Sequence, residues 1–123
     1  MRDREEFIRE FNEAFSRNDL DFILEHMSND IVWNFIGEKN IKGKEAVKEF
    51  MEPMKKIETL EMELQQIITH DGSAAANGRM KIKEPSGEIK SFGFADFYEF
   101  SKQNASEITK MTSYVVRVNE DKK

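Results

Sequence analysis

Asp96 lies in Phe92-Gly93-Phe94-Ala95-Asp96-Phe97-Tyr98-Glu99-Phe100, a segment that holds four of the chain's ten phenylalanines. Read as a strand, the segment alternates its side chains between two faces, so Phe92, Phe94, Asp96, Tyr98 and Phe100 share one of them. A carboxylate on a wall of rings is costly to ionise unless it is paired or hydrogen-bonded. Two readings follow. Asp96 is a pocket acid able to hold or shuttle a proton, or it is a structural acid bonded to Ser113, the Trp33 indole or backbone. A register slip would turn it outward instead.

Other candidate chemistry is thinner. His26 and His70 have no third ligand at metal spacing, so no metal site is expected. Gly37 to Lys44 superficially resembles a phosphate loop. It has one residue too many before Gly43-Lys44, and Glu45 stands where Ser or Thr is required. No serine sits in a recognisable His–acid arrangement. The chain has no cysteine, which removes disulfides and thiolate chemistry. No motif implies a metal, nucleotide or flavin, so no cofactor is expected.

The elements that would position Asp96 follow from periodicity. Residues 4 to 17 place Phe7, Ile8, Phe11, Ala14 and Phe15 at helical spacing, and Asp3 with Glu6 has the form of a capping box. Asn18-Asp19 reads as a break and a new N-cap, followed by a short helix through Leu20, Ile23, Leu24 and Met27. Ser28-Asn29-Asp30 stops that helix, Ile31 to Ile36 reads as a strand, and Gly37 to Gly43 as a polar loop. A third helix runs from Lys44 to Lys55, with Pro53 distorting its last turn. Four strands follow: Leu60 to Thr69, Ala74 to Lys83, Ile89 to Phe100 and Glu107 to Val118, with Lys102 to Ser106 a polar turn before the last. Gly78 and Gly93 are candidate points of bending. Helices at the start and strands at the end predict an α+β domain in the order ααβαββββ, with an antiparallel sheet. Residues 1 to 118 form one domain, and 119 to 123 a polar tail.

With 123 residues and 38% hydrophobic content, the chain can bury one core. A net charge of −5 argues against nucleic acid, which needs a basic stripe. The start Met-Arg-Asp-Arg-Glu-Glu has no apolar run behind it, so neither a signal peptide nor a membrane span is expected, and the cytoplasm is the default location.

The element order resembles the NTF2-like superfamily, in its SnoaL-like and ketosteroid-isomerase-like branches. The stretches that carry the resemblance are Phe15 to Asp21, Asn29 to Gly37, Ile41 to Val47, Ala95 to Phe100 and Ile108 to Tyr114. It implies a cone in which three helices close the concave side of a curved sheet. Ketosteroid isomerase combines an Asp base with an oxyanion hole of one Tyr and one protonated Asp. Laid over this chain, that pattern puts the protonated Asp at Asp96. The oxyanion Tyr falls at Phe11, two supporting tyrosines at Met27 and Met51, and the base at Asn34 or Phe35. The enolisation machinery is therefore missing. The epoxide-hydrolase branch needs an Arg at the place of Phe94 and is not matched. The SnoaL-like cyclase branch asks for one strand acid in an apolar pocket, which Asp96 satisfies.

The resemblance thus implies an apolar cavity for a small hydrophobic molecule, with Asp96 the catalytic residue of any cofactor-independent acid/base step. Phe11, Phe15, Trp33, Phe50, Met51, Met54, Met80, Phe94, Tyr98, Met111 and Ser113 would line it. A carrier, sensor or assembly module is the rival class. The helix-borne lining residues and Trp33 equally suit an ordinary core. Phe97, Tyr114 and Val116 alternate onto the outer sheet face, where such a patch marks an interface. The family commonly pairs through that face, which implies a homodimer.

Overall fold

The computed structural model describes residues 3–104 and 106–119. Helix α1 (Arg4–Arg17) buries Phe7, Ile8, Phe11 and Ala14, the stripe expected from its periodicity. Asp3 takes the N-cap position, but its carboxylate makes no cap bond. The expected capping box is therefore not formed, and the first turn is tied by the Asp3 carbonyl accepting from Phe7 N–H. Asn18 ends α1 in the left-handed region with φ 58°, and its side chain donates to the Ile57 carbonyl. Asp19 caps α2 (Leu20–Glu25) by accepting from Phe22 N–H.

Strand β1 (Met27–Phe35) begins earlier than expected. Ser28-Asn29-Asp30 does not interrupt it, because a register shift between Met27 and Val32 accommodates the polar residues and leaves Asn29 and Asp30 exposed. The expected loop from Gly37 to Gly43 contains β2 (Lys39–Lys42). One buried side chain, Ile41, anchors it opposite Trp33. Helix α3 (Lys44–Met51) then passes into a 3₁₀ turn (Glu52–Lys56) at Pro53, which cannot donate to an α-helical ladder. Strands β3 (Glu58–His70), β4 (Ser73–Lys83), β5 (Ile89–Phe100) and β6 (Ile108–Val118) complete the chain. Of the expected turn from Lys102 to Ser106, Ala105 lies outside the described residues, as do residues 120–123 of the tail.

The sheet has six strands in the order β2-β1-β6-β5-β4-β3. Every pairing is antiparallel except β1 with β6, which is parallel. The expected order ααβαββββ is thus corrected to ααββαββββ, and the expected antiparallel sheet to a mixed one. The physical reason is that β1, besides its antiparallel hairpin with β2, pairs on its other edge with the last strand of the chain, which runs parallel to it. The helices pack on one face of this sheet, and Ile23, Val47 and Met51 from α2 and α3 meet Ile31, Trp33, Tyr98, Phe100 and Met111 in one core. Among the described residues no helix is long and apolar enough to cross a membrane.

Gly78 on β4 lets β3 come close. Gly78 lies opposite Leu64, where the β3–β4 register shifts. A Cβ there would fall 2.1 Å from the Glu63 carbonyl oxygen and 3.0 Å from a Phe94 ring carbon. Glycine at 78 is therefore required by the close approach of the β3 backbone. A Cβ on Gly93 would meet ordinary contacts, and nothing there requires glycine. Gly78→Ala is expected to destabilise the fold by about 1–3 kcal/mol, since the clash is with backbone. Urea denaturation measures this, with Gly93→Ala as a milder comparison.

Candidate functional site

The β5–β6 register sets Asp96 directly opposite Ser113, and the β4–β5 register sets it opposite Ala76. Beyond these neighbours lie Phe35 on β1 and Ile67 on β3. The next row of the same face holds Trp33, Met111, Tyr98 and Ala74, and the row on the other side holds Val115, Phe94 and Gly78. All these positions have the face expected from alternation.

Asp96 is half-buried, and the Ser113 and Tyr98 hydroxyls hydrogen-bond to its carboxyl. Each hydroxyl is held in turn by a nitrogen donor. Trp33 Nε1 donates to Ser113 Oγ at 2.8 Å. Asn12 Nδ2, on α1, donates to Tyr98 Oη at 3.0 Å and to the Ile8 carbonyl at 2.9 Å. Asn12, Trp33, Tyr98 and Ser113 are all buried. Trp33 is further fixed by the rings of Phe15, Phe35 and Phe50, with centroids 5.6–5.8 Å away.

Burial raises the Asp96 pKa from 3.8 to about 6, against the opposing bonds from Ser113 and Tyr98. Desolvation wins because two hydroxyl donors replace only part of the carboxylate's lost hydration. The Tyr98 hydroxyl is pushed up by its own burial and then by the neighbouring Asp96 charge. Asp96 can therefore exchange a proton near neutral pH, while Tyr98 stays a neutral donor.

The residues expected to line a cavity divide into two groups. Phe11, Trp33, Met51, Tyr98, Met111 and Ser113 are buried. Phe15, Phe50, Met54, Met80 and Phe94 are partly exposed, as is Asp96. The Trp33 indole meets Ser113, not Asp96 directly. Two surface grooves lie at opposite edges of the sheet. One, of about 310 Å³, is bounded by Arg9, Glu13, Ser16 and Thr59 to Met62 with Leu64. The other, of about 290 Å³, is bounded by Lys39 to Lys42, Ala46, Glu49 and Phe50. Neither is lined by Asp96.

Sequence reasoning passed over Asn12 and the role of Tyr98 as a donor to Asp96. The signal for Asn12 was present: it follows Phe11 and stands four residues after Ile8, a polar residue on the apolar stripe of α1. His26 Nδ1 lies 2.9 Å from the Phe22 carbonyl, and His70 is exposed beside Asp71. Among the described residues no cluster of His, Cys, Asp or Glu could hold a metal ion.

The SnoaL-like domain profile matches residues 8–109. The chain belongs to the SnoaL-like family. Solved structures with the same fold include an NTF2-like protein of unknown function from Cytophaga hutchinsonii, 24% identical, with a TM-score of 0.70 over 93% of this chain and 100% of that one. A candidate polyketide cyclase from Xanthomonas campestris pv. campestris is 16% identical, with a TM-score of 0.75 over 90% of this chain and 88% of that one. An LEH-like epoxide hydrolase from M. tuberculosis is 15% identical, with a TM-score of 0.78 over 92% and 82%. Among curated proteins none matches the sequence. At these identities the likeness to solved structures is one of fold.

Within this SnoaL-like domain, Asp96 has a consequence for stability. Its folded pKa lies above the ordinary carboxylate value, so the folded state binds more protons between about pH 4 and 6. This contribution is fully present below the unfolded pKa and is lost as pH rises through the folded value, by up to about 3 kcal/mol. Asp96→Asn is therefore expected to be more stable than the natural protein above pH ~7, by about 1–3 kcal/mol, and the difference should vanish below pH ~4. Thermal unfolding of both proteins across that range checks the sign.

Proposed function

We propose that the partly exposed apolar surface around Asp96 accepts a small hydrophobic molecule, and that Asp96 moves a proton on it without a cofactor, in a cyclase- or isomerase-like step. The observation that carries this reading is a half-buried carboxyl, bonded by Ser113 and Tyr98 and poised to titrate at about 6, beside partly exposed Phe94 on the same face. A base working near neutral pH needs a pKa in this region. The likeness to a candidate polyketide cyclase supports the cyclase form of the reading. Asp96→Asn should abolish turnover while a ligand found by native mass spectrometry still binds. Turnover that survives the substitution would sink the catalytic reading.

The second reading is a non-catalytic carrier, sensor or assembly module. It is favoured by the two surface grooves, neither of which Asp96 lines. It predicts that Asp96→Asn changes affinity alone.

We also propose a homodimer through the outer sheet face. Phe97, Tyr114 and Val116 are 52%, 44% and 66% exposed, with Ile68 at 55% on the same side. The Phe97 and Tyr114 rings are in edge contact at 6.1 Å. A contiguous patch of this kind is uncommon on a monomer. Light scattering after size exclusion should give twice the chain mass, and Phe97→Glu should give the monomer. A natural protein that runs as a monomer at high micromolar concentration would refute the pairing.

A further inference from the structure

The direction of each proton in the Asp96 network is fixed by chemistry at its two outer ends. The Asn12 side-chain atom that contacts Tyr98 also contacts the Ile8 carbonyl. A carbonyl oxygen only accepts, so that atom is the amide nitrogen, and it donates to both. The Tyr98 oxygen therefore accepts from Asn12, and its own single proton is available for Asp96. At the other end the Trp33 indole nitrogen has a hydrogen and no acceptor lone pair in the ring plane. The Ser113 oxygen accepts from it, and the Ser113 proton is likewise available for Asp96. Two buried donors on separate elements, α1 and β1, thus orient two hydroxyls toward one carboxyl.

We infer that Asn12 and Trp33 are positioning residues: they commit the Tyr98 and Ser113 protons to Asp96, so that a proton taken up by Asp96 is directed away from both hydroxyls and toward whatever occupies the surface beside it. This rests on Asp96 being the working acid of the site. It adds the polarity of the site. Asp96 acts first as an acceptor held by two donors, and while both hydroxyl protons point at it the proton it gains is offered to the open side of the carboxyl. A ligand that presents an acidic C–H or O–H to Asp96, and later needs that proton back at a nearby atom, fits this polarity. Around the carboxyl, Ser113 faces it from β6 and Ala76 from β4, with Phe35 and Ile67 one strand further out. The titratable group acting on it is Tyr98, on its own strand.

The test needs no ligand. In proton–nitrogen NMR spectra of the natural protein, the Trp33 indole and the Asn12 side-chain amide are expected to shift with one common midpoint at about 6, the value for Asp96. Both transitions should disappear in Asp96→Asn. Signals that do not titrate, or that still titrate in Asp96→Asn, would overturn the inference. A double-mutant cycle reads the direction of coupling. The Trp33 fluorescence midpoint should rise in Asn12→Leu and in Tyr98→Phe, because each removes support for the carboxylate. In the double variant it should rise no further than in Tyr98→Phe alone. Additive shifts, or an unmoved midpoint in Asn12→Leu, would mean that Asn12 serves packing only. Loss of the catalytic reading through Asp96→Asn turnover would leave these results standing, so the two failures can be told apart.

Discussion

The antiparallel pairing of β5 with β6 sets Asp96 across from Ser113, and the chemistry of the inner face follows from that register. A slip by one residue would exchange Asp96 and Tyr98 for Phe97, and would send the carboxyl to the solvent side. The apolar residues of the inner face make such a slip costly: Tyr98 and Phe100 on β5 are buried within the helices' footprint. Hydrophobic packing thus selects a register whose by-product is an acid under partial cover. The two hydroxyl donors make the ionised form tolerable without making it favourable, and the raised pKa of Asp96 expresses that balance.

The donors can do this only if they are held still. Trp33 is clamped by rings from three elements, Phe15 on α1, Phe35 on β1 and Phe50 on α3, so its N–H keeps its aim at Ser113. Asn12 is tied at two points, to its own helix through Ile8 and to the sheet through Tyr98. Rigid elements with locked rotamers are what a preorganised site requires. Side chains whose individual packing is unexceptional therefore set the orientation of the polar group at the centre.

Periodicity alone was enough to read α1, the four long strands and the shared face of Asp96, Tyr98, Ser113 and Met111. These features depend on local alternation, which a sequence displays directly. The neighbours of a strand are another matter. Nothing in Ile31-Val32-Trp33 says that it lies parallel to Met111 and its surroundings, because pairing across the chain ends depends on global packing. Strand β2 escaped notice because three of its four residues are polar and only Ile41 is buried. Asn12 was legible as an anomaly on an apolar stripe, yet its partner could not be named until α1 was seen lying over β5. The space left beside Asp96 depends on side-chain rotamers, which alternation does not fix.

The sheet is a single layer, and this joins two surfaces that would otherwise be separate. Phe97 points outward from between Asp96 and Tyr98, and Tyr114 points outward beside Ser113. The same few peptide units carry the carboxyl and its donors on one side and the exposed rings on the other. Pressure on the outer rings is transmitted through those peptide units, with no intervening layer to absorb it. A body docked on the convex face would therefore lean on the backs of the residues that hold the acid, as a hand on one side of a thin partition is felt on the other.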